Sequence, residues 1–246
     1  MKVSIITVCY NSENTIRDTI ESVIEQSYAD IEYIIVDGKS TDRTMEIVND
    51  YKGSIDIIVS ELDKGLYDAM NKGMELASGD LIGVLNSDDV FSSSFIIEQI
   101  VKSARGYDGV FADIGFYDQE LIKKNRHYSS KGFHKEKFSR GFMPAHPSCY
   151  LKKEVVEQVG KYSLDYKIAA DFDYLVRAFS LPDVSFNYIN QEVVKMREGG
   201  LSTSGIGANI LLNKEIIHSC KKNGLSCSWF SIMTKYPEKL MGLFFK

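Results

Sequence analysis

Short apolar runs rich in β-branched residues recur through the first 120 residues, each followed by polar residues and then by helical periodicity. The runs occupy residues 3–10, 31–36, 55–60, 81–85 and 110–116. Each is too short for a helix and too apolar for a half-exposed strand, so each reads as a strand buried on both faces. Between them, residues 15–26 place Ile16, Ile20, Val23 and Ile24 on one helical face, and residues 42–51, 66–77 and 95–104 continue the alternation. Ser40 or Thr41 is placed to cap the second helix. Strand and helix in turn make βαβ units, so the expected class is α/β, with a mostly parallel central sheet flanked by helices.

The second half is less regular. Residues 123–140 are basic and weakly periodic, which suits a loop or an edge hairpin. A short strand is expected at 148–151, short helices at 154–159 and 169–179, a strand at 184–194 and an amphipathic helix at 209–221. No repeat or low-complexity linker divides the chain. At 246 residues and 44% hydrophobic content it can bury the core of one α/β domain with an irregular C-terminal part.

Charge narrows the function. The net −5 conceals an asymmetry: residues 1–120 hold 9 Lys+Arg against 23 Asp+Glu, a net of −14, while residues 121–246 hold 20 against 11, a net of +9. A nucleic-acid binder needs a basic footprint, so the acidic front half argues against one. Cys9, Cys149, Cys220 and Cys227 form no C-x-x-C pair, which disfavours a structural zinc site and a disulfide scaffold and fits a reducing compartment. The first apolar run turns polar by Asn11, and no apolar stretch reaches membrane-spanning length. The expected location is therefore cytoplasmic, either soluble or peripheral on the inner face of the cytoplasmic membrane.

In open parallel sheets ligands bind beyond the carboxyl ends of the strands. Here those ends carry Cys9-Tyr10-Asn11-Ser12, Asp37-Gly38-Lys39-Ser40-Thr41-Asp42, Glu61-Leu62-Asp63-Lys64-Gly65 and Asn86-Ser87-Asp88-Asp89. Any one of them is ordinary turn chemistry; four in succession favour a site. Neither G-x-x-x-x-G-K-[ST] nor a G-x-G-x-x-G after the first strand is present, so a bound nucleotide needs another way to neutralise its phosphates. The carboxylates of Asp88 and Asp89 are hard oxygen ligands suited to Mg²⁺ or Mn²⁺.

The stretches Ser4-Ile5-Ile6-Thr7-Val8-Cys9-Tyr10-Asn11, Val36-Asp37-Gly38-Lys39-Ser40-Thr41-Asp42, Ser60 to Gly73, Leu85-Asn86-Ser87-Asp88-Asp89 and Ala169-Ala170-Asp171-Phe172-Asp173 occur in one order. In that order they resemble family 2 glycosyltransferases of the GT-A fold, in the group that builds bacterial surface polysaccharides. The resemblance runs to about residue 204. It implies a GT-A domain over residues 1–204, with a nucleotide-sugar half at 1–118 and an acceptor half at 119–204. Residues 205–246 would be a helical extension facing a membrane or a partner.

The resemblance also implies residue roles. Thr7, Tyr10 and Asn11 would line the nucleotide pocket, and Asp37 would hydrogen-bond the base, uracil. Lys64, Asn71 and Lys72 would contact the donor or support its loop. Asp89 would be the direct metal ligand, with Asp88 near ribose or metal; Asn86 stands where many relatives have aspartate. Asp171 aligns with the base of the family's Glu-Asp motif, although Ala170 replaces the glutamate, and Asp173 would support it. His146, Arg197, Gly199 and Gly200 would lie on the acceptor side.

The implied activity is inverting, metal-dependent transfer from a nucleotide-diphosphate sugar to a polyprenyl-pyrophosphate-linked saccharide. The basic run 123–140 suits a solvated surface or attraction to anionic lipid or a pyrophosphate-linked acceptor, and the Trp229–Phe245 tail, where aromatic and apolar residues mix with lysines, suits an interfacial segment or equally a helix packing on the core or a homodimer partner. Two other readings stay open. A GT-A-like sugar nucleotidyltransferase would want a Gly-rich basic loop after the first strand, and a non-catalytic sugar-nucleotide-binding subunit would not need Asp88, Asp89 and Asp171.

Overall fold

The computed structural model describes residues 1–199 and 205–234. The first half runs β1 (Val3–Cys9), α1 (Ile16–Ile24), β2 (Ile31–Asp37), α2 (Thr44–Asp50), β3 (Ile57–Ser60), α3 (Leu66–Leu76) and β4 (Leu81–Val84). Next come β5 (Asp89–Phe91), α4 (Ile96–Ser103), β6 (Gly109–Tyr117), β7 (Lys124–Tyr128) and β8 (Tyr150–Lys152). The described part ends with α5 (Lys153–Val159), α6 (Ala170–Ser180), β9 (Phe186–Arg197), α7 (Ile206–Lys222) and α8 (Trp229–Met233).

These strands share one sheet, ordered β3-β2-β1-β4-β8-β6-β9-β5, with β7 paired to β6. β1 is parallel to β2 and β4, and β2 is parallel to β3. β8 is antiparallel to both β4 and β6, so those two run the same way, and β9 is parallel to β6. The carboxyl ends of β1–β4, β6 and β9 therefore open on the same edge, where a ligand of such a sheet is expected.

Alternation along the strands divides the core into two layers. Ile5, Tyr33 and Ile35 point toward α1, α2 and α4, meeting Ile16, Ile20, Val48, Ile97 and Ile100. Ile6, Val8, Ile34 and Val36 point the other way, toward α3, α5 and α6. Ile216 and Cys220 of α7 and Ile232 of α8 join that second core. α3 lies so close to β1 that a Cβ on Gly73 would sit 2.4 Å from Ile6 Cγ2.

Two strands go beyond the sequence expectation. β5 has only three residues, too few for periodicity to show, and exists because β9 supplies an antiparallel partner. β9 itself extends to Arg197, because β6 offers it backbone partners as far as Tyr117. The basic segment resolves into the edge strand β7 and a 3₁₀ turn over Lys135–Arg140.

Candidate active site

Four strand ends are stitched to one another. Asn11 stands in the left-handed region (φ 50°); its backbone N–H donates to Ser40 Oγ at 2.8 Å, and its Oδ1 accepts from the Thr41 N–H at 2.8 Å. Ser12 Oγ and Ser87 Oγ lie 2.9 Å apart, which joins the end of β1 to the turn after β4. Asp37 accepts from the Ser40 N–H at 3.2 Å and from Ser60 Oγ at 2.6 Å, joining β2 to β3. These ties convert separate turns into one rim.

Two residues expected at the nucleotide are buried. Asp37 is 0% exposed, and its oxygens accept from Ser40 and Ser60, which ties the loops after β2 and β3 together. Thr7 is likewise fully buried in mid-strand, its Oγ1 accepting from Tyr33 OH at 3.2 Å. Tyr10, by contrast, is 63% exposed. Beside its ring, a Cβ on Gly38 would fall 2.5 Å from Asp63 Oδ2 and 3.5 Å from Tyr10 Cδ2, so bare backbone lets the Asp63 carboxylate close over this point. Asp63 was visible in the sequence only as one of several strand-end acids.

α3 joins the two halves. Asn71 is buried; its Oδ1 accepts from the Tyr162 N–H at 2.7 Å and its Nδ2 donates to the Tyr162 carbonyl at 3.0 Å. Both ends of its amide are engaged by the Tyr162 backbone, so it positions the 162 segment. One turn earlier, Tyr67 OH donates to the Ile168 carbonyl at 2.5 Å. Lys72 supports the loop ahead of α3, its Nζ reaching the Leu62 carbonyl and the Glu61 carboxylate, both at 2.8 Å. Lys64 is exposed, and its backbone N–H donates to Asp68 Oδ2.

The two adjacent aspartates part company after β4. Asp88 sits on the turn, partly open, and burial pushes its carboxyl above the ordinary range. Asp89 begins β5 and is 0% exposed; burial, and then the neighbouring Asp88 charge, push it well up. Asp88 is thus the more open of the two, because strand pairing with Met196 of β9 draws Asp89 inward. Asn86 Nδ2 approaches Asp89 Oδ2 at 3.4 Å, while Asn86 Oδ1 and Asp89 Oδ1 are buried with no hydrogen-bond partner. Partnerless buried oxygens are costly, and two of them beside a carboxylate suit a hard divalent cation. Among the described residues no three His, Cys, Asp or Glu side chains form a metal set of their own.

Arg197 is buried beneath this turn rather than on an acceptor loop. Its Nη1 donates to the Asp88 carbonyl and its Nε to the Gln119 carbonyl, both at 2.8 Å, and its remaining nitrogen pairs with Asp18. Gly199 follows in the left-handed region (φ 123°), where a side chain would be strained. Gly200 lies outside the described residues.

Asp171 is the second residue of α6. Burial raises its carboxyl to about 6, even though Oδ1 accepts from the Phe172 N–H at 2.7 Å. A carboxylate poised there can take a proton near neutral pH. Asp173 points elsewhere, into a buried network with Arg177 at 2.9 Å, with Ser219 of α7 and with Asn223 just past its end, which ties the two helices together. His146 is buried in a 3₁₀ turn, shares a 2.7 Å hydrogen bond with Tyr162 OH, and is pushed down to about 4 by burial.

Residues 4–159 match the profile described as Glycosyl transferase family 2. An uncharacterised glycosyltransferase of Mycobacterium tuberculosis is 34% identical over 178 residues, 72% of this chain and 68% of the relative. An Escherichia coli UDP-Glc:α-D-GlcNAc-diphosphoundecaprenol β-1,3-glucosyltransferase, WfaP, is 42% identical over 99 residues, 40% of this chain and 39% of that one. Staphylococcus aureus TarS, solved with UDP-GlcNAc, superposes with a TM-score of 0.69 at 18% identity, over 88% of this chain and 67% of TarS. A Pyrobaculum calidifontis mannosyltransferase, solved with GDP-Man and Mn²⁺, gives 0.65 at 18% identity, over 90% and 63%. At that identity the two structures speak for the fold.

Proposed function

This chain belongs to glycosyl transferase family 2, and from that membership we propose that it transfers a sugar, with inversion, from a UDP-sugar to a lipid-pyrophosphate-linked saccharide in bacterial surface polysaccharide synthesis. The observation that carries the reading is the rim of strand ends, with an exposed aromatic and an acid for a nucleoside and an oxygen-rich turn for a diphosphate's cation; α6 adds a base with a raised pKa.

Tyr10 offers its ring to the nucleobase, and Asp63 over Gly38 offers acceptors to the base N–H groups. Asp88, with Asn86 and Asp89 behind it, would hold Mn²⁺ or Mg²⁺, drawing further ligands from the donor diphosphate. That cation supplies charge neutralisation for the departing diphosphate. Arg197 fixes the Asp88 carbonyl and hence the turn. Asp171 accepts the proton of the acceptor hydroxyl as its oxygen bonds to the anomeric carbon and the bond to the nucleoside diphosphate breaks.

The acceptor reading draws on WfaP, whose name gives it a lipid-diphosphate-linked acceptor, and on the basic second half of this chain. Exposed Lys131 and Lys135 lead into the 3₁₀ turn against which α8 packs, and α8 exposes Phe230 at 83%. That combination suits peripheral contact with an anionic membrane. No described helix is long and apolar enough to cross one. A nucleotidyltransferase is less well supported, since Asn11 and Ser12 are committed to Thr41, Ser40 and Ser87 rather than free to wrap a triphosphate.

The test is a thermal-shift screen of UDP-, GDP- and dTDP-sugars with and without Mn²⁺, followed by nucleotide release with undecaprenyl-diphosphate-GlcNAc as acceptor. A Mn²⁺-dependent shift with UDP-sugars and acceptor-dependent UDP release are expected. A preference for another nucleotide would overturn the donor, and release indifferent to the lipid acceptor would overturn the acceptor.

A further inference from the structure

α7 lies beyond the residues matched by the family profile, yet it carries a buried carboxylate aimed at the start of α6. Glu215 is 9% exposed. Its Oε1 accepts from the Lys167 N–H at 2.9 Å, and its Oε2 accepts from the Ile168 and Ala169 N–H groups, each at 2.9 Å. Three consecutive amides converging on one anion form a nest. α6 has no side-chain cap of its own at Ala169, so Glu215 takes the place of one from another helix.

We propose that Glu215 is the positioning residue for Asp171, gathering the 167–169 amides into the turn that launches α6 and so setting where the Asp171 carboxylate stands. This rests on the reading of Asp171 as the base. Two features separate it from ordinary helix capping. First, the same turn is gripped from the opposite side by Tyr67 of α3, whose hydroxyl donates to the Ile168 carbonyl, so the base is hung between the donor half and α7. Second, the Glu215 charge lies close enough to help raise the Asp171 carboxyl, beyond the larger effect of burial. Ser219, one turn along α7, and Asn223, which caps its C-terminus, hold Asp173, which keeps the two helices in register.

Glu215→Gln removes the charge and replaces one acceptor oxygen with an NH₂ that cannot accept. In protein labelled with ¹³C at aspartate carboxyls, the Asp171 resonance is the one missing from Asp171→Asn. Its titration midpoint, about 6 in the parent chain, moves to lower pH in Glu215→Gln, and hydrogen-exchange protection at residues 167–169 falls. An unmoved midpoint with unchanged protection overturns the proposal, and so does a lower melting temperature with an unmoved midpoint, which is what mere capping predicts.

If Glu215→Gln does not fold, Glu215→Asp carries the test. It keeps the charge but withdraws it by one methylene, and turnover should fall roughly tenfold, as expected for a displaced reacting group. Unchanged turnover and protection in that variant refute the idea. Full turnover in Asp171→Asn instead defeats the base assignment and leaves the titration result standing, so the two failures are distinct.

Discussion

Asp171→Asn should stabilise the fold while disabling the enzyme. Its carboxyl is lifted from an ordinary 3.8 to about 6, chiefly by burial, so the folded protein holds this proton more tightly than the unfolded chain does. Stability from this group is complete below pH 4, falls as pH rises through the folded value, and stays lost above it. At about 1.4 kcal/mol per pKa unit, the loss at pH 8 is about 3 kcal/mol. Asparagine has no charge to bury and can still accept from the Phe172 N–H. Urea unfolding at pH 4 and pH 8 isolates the effect, because other titrating groups are common to both proteins. The variant should match the parent at pH 4 and exceed it by about 2–3 kcal/mol at pH 8, while transfer falls at least about 100-fold. Equal stabilities at both pH values would refute the claim that the site holds an ionised carboxylate against its burial.

Four further outcomes follow from the geometry. Asp88→Asn should remove the Mn²⁺-dependent part of the UDP-sugar thermal shift; retention of that part would return the ligand role to Asp89. Asn71→Ala leaves the buried N–H and carbonyl of Tyr162 without partners and should cost about 3 kcal/mol by denaturant titration, whereas Gly73→Ala, driving a Cβ to 2.4 Å from Ile6, should cost about 2 kcal/mol. Neutralising Lys131 and Lys135 should weaken co-sedimentation with phosphatidylglycerol vesicles about fivefold per charge in low salt, and unchanged binding would remove the membrane contact.

The alternation of strands and helices was legible because periodicity and turn chemistry are local. Ile16, Ile20 and Val23 line up on a helix whatever lies beneath them, and a run such as residues 81–85 is too apolar to remain outside. The clustering of polar groups beyond the first four strands was legible for the same reason, since a parallel sheet gathers its carboxyl ends on one edge. β5 was not, because three residues become a strand only when a distant β9 pairs with them.

Within the site, sequence identified the neighbourhoods and tertiary structure assigned the work. Asp37 and Asp63 are both strand-end acids in the sequence; the fold buries the first between Ser40 and Ser60 and closes the second over Gly38. Asp88 and Asp89 are chemically identical neighbours, separated by a pairing that buries one. His146 looked like a loop histidine, and Glu215 like one acid on an amphipathic helix. Their surroundings come from Tyr162 and from the amides of residues 167–169, remote in sequence. Local patterning determines which elements form; whether a polar atom meets solvent, ligand or its own chain depends on residues tens to hundreds of positions away, which only the packed fold brings to it.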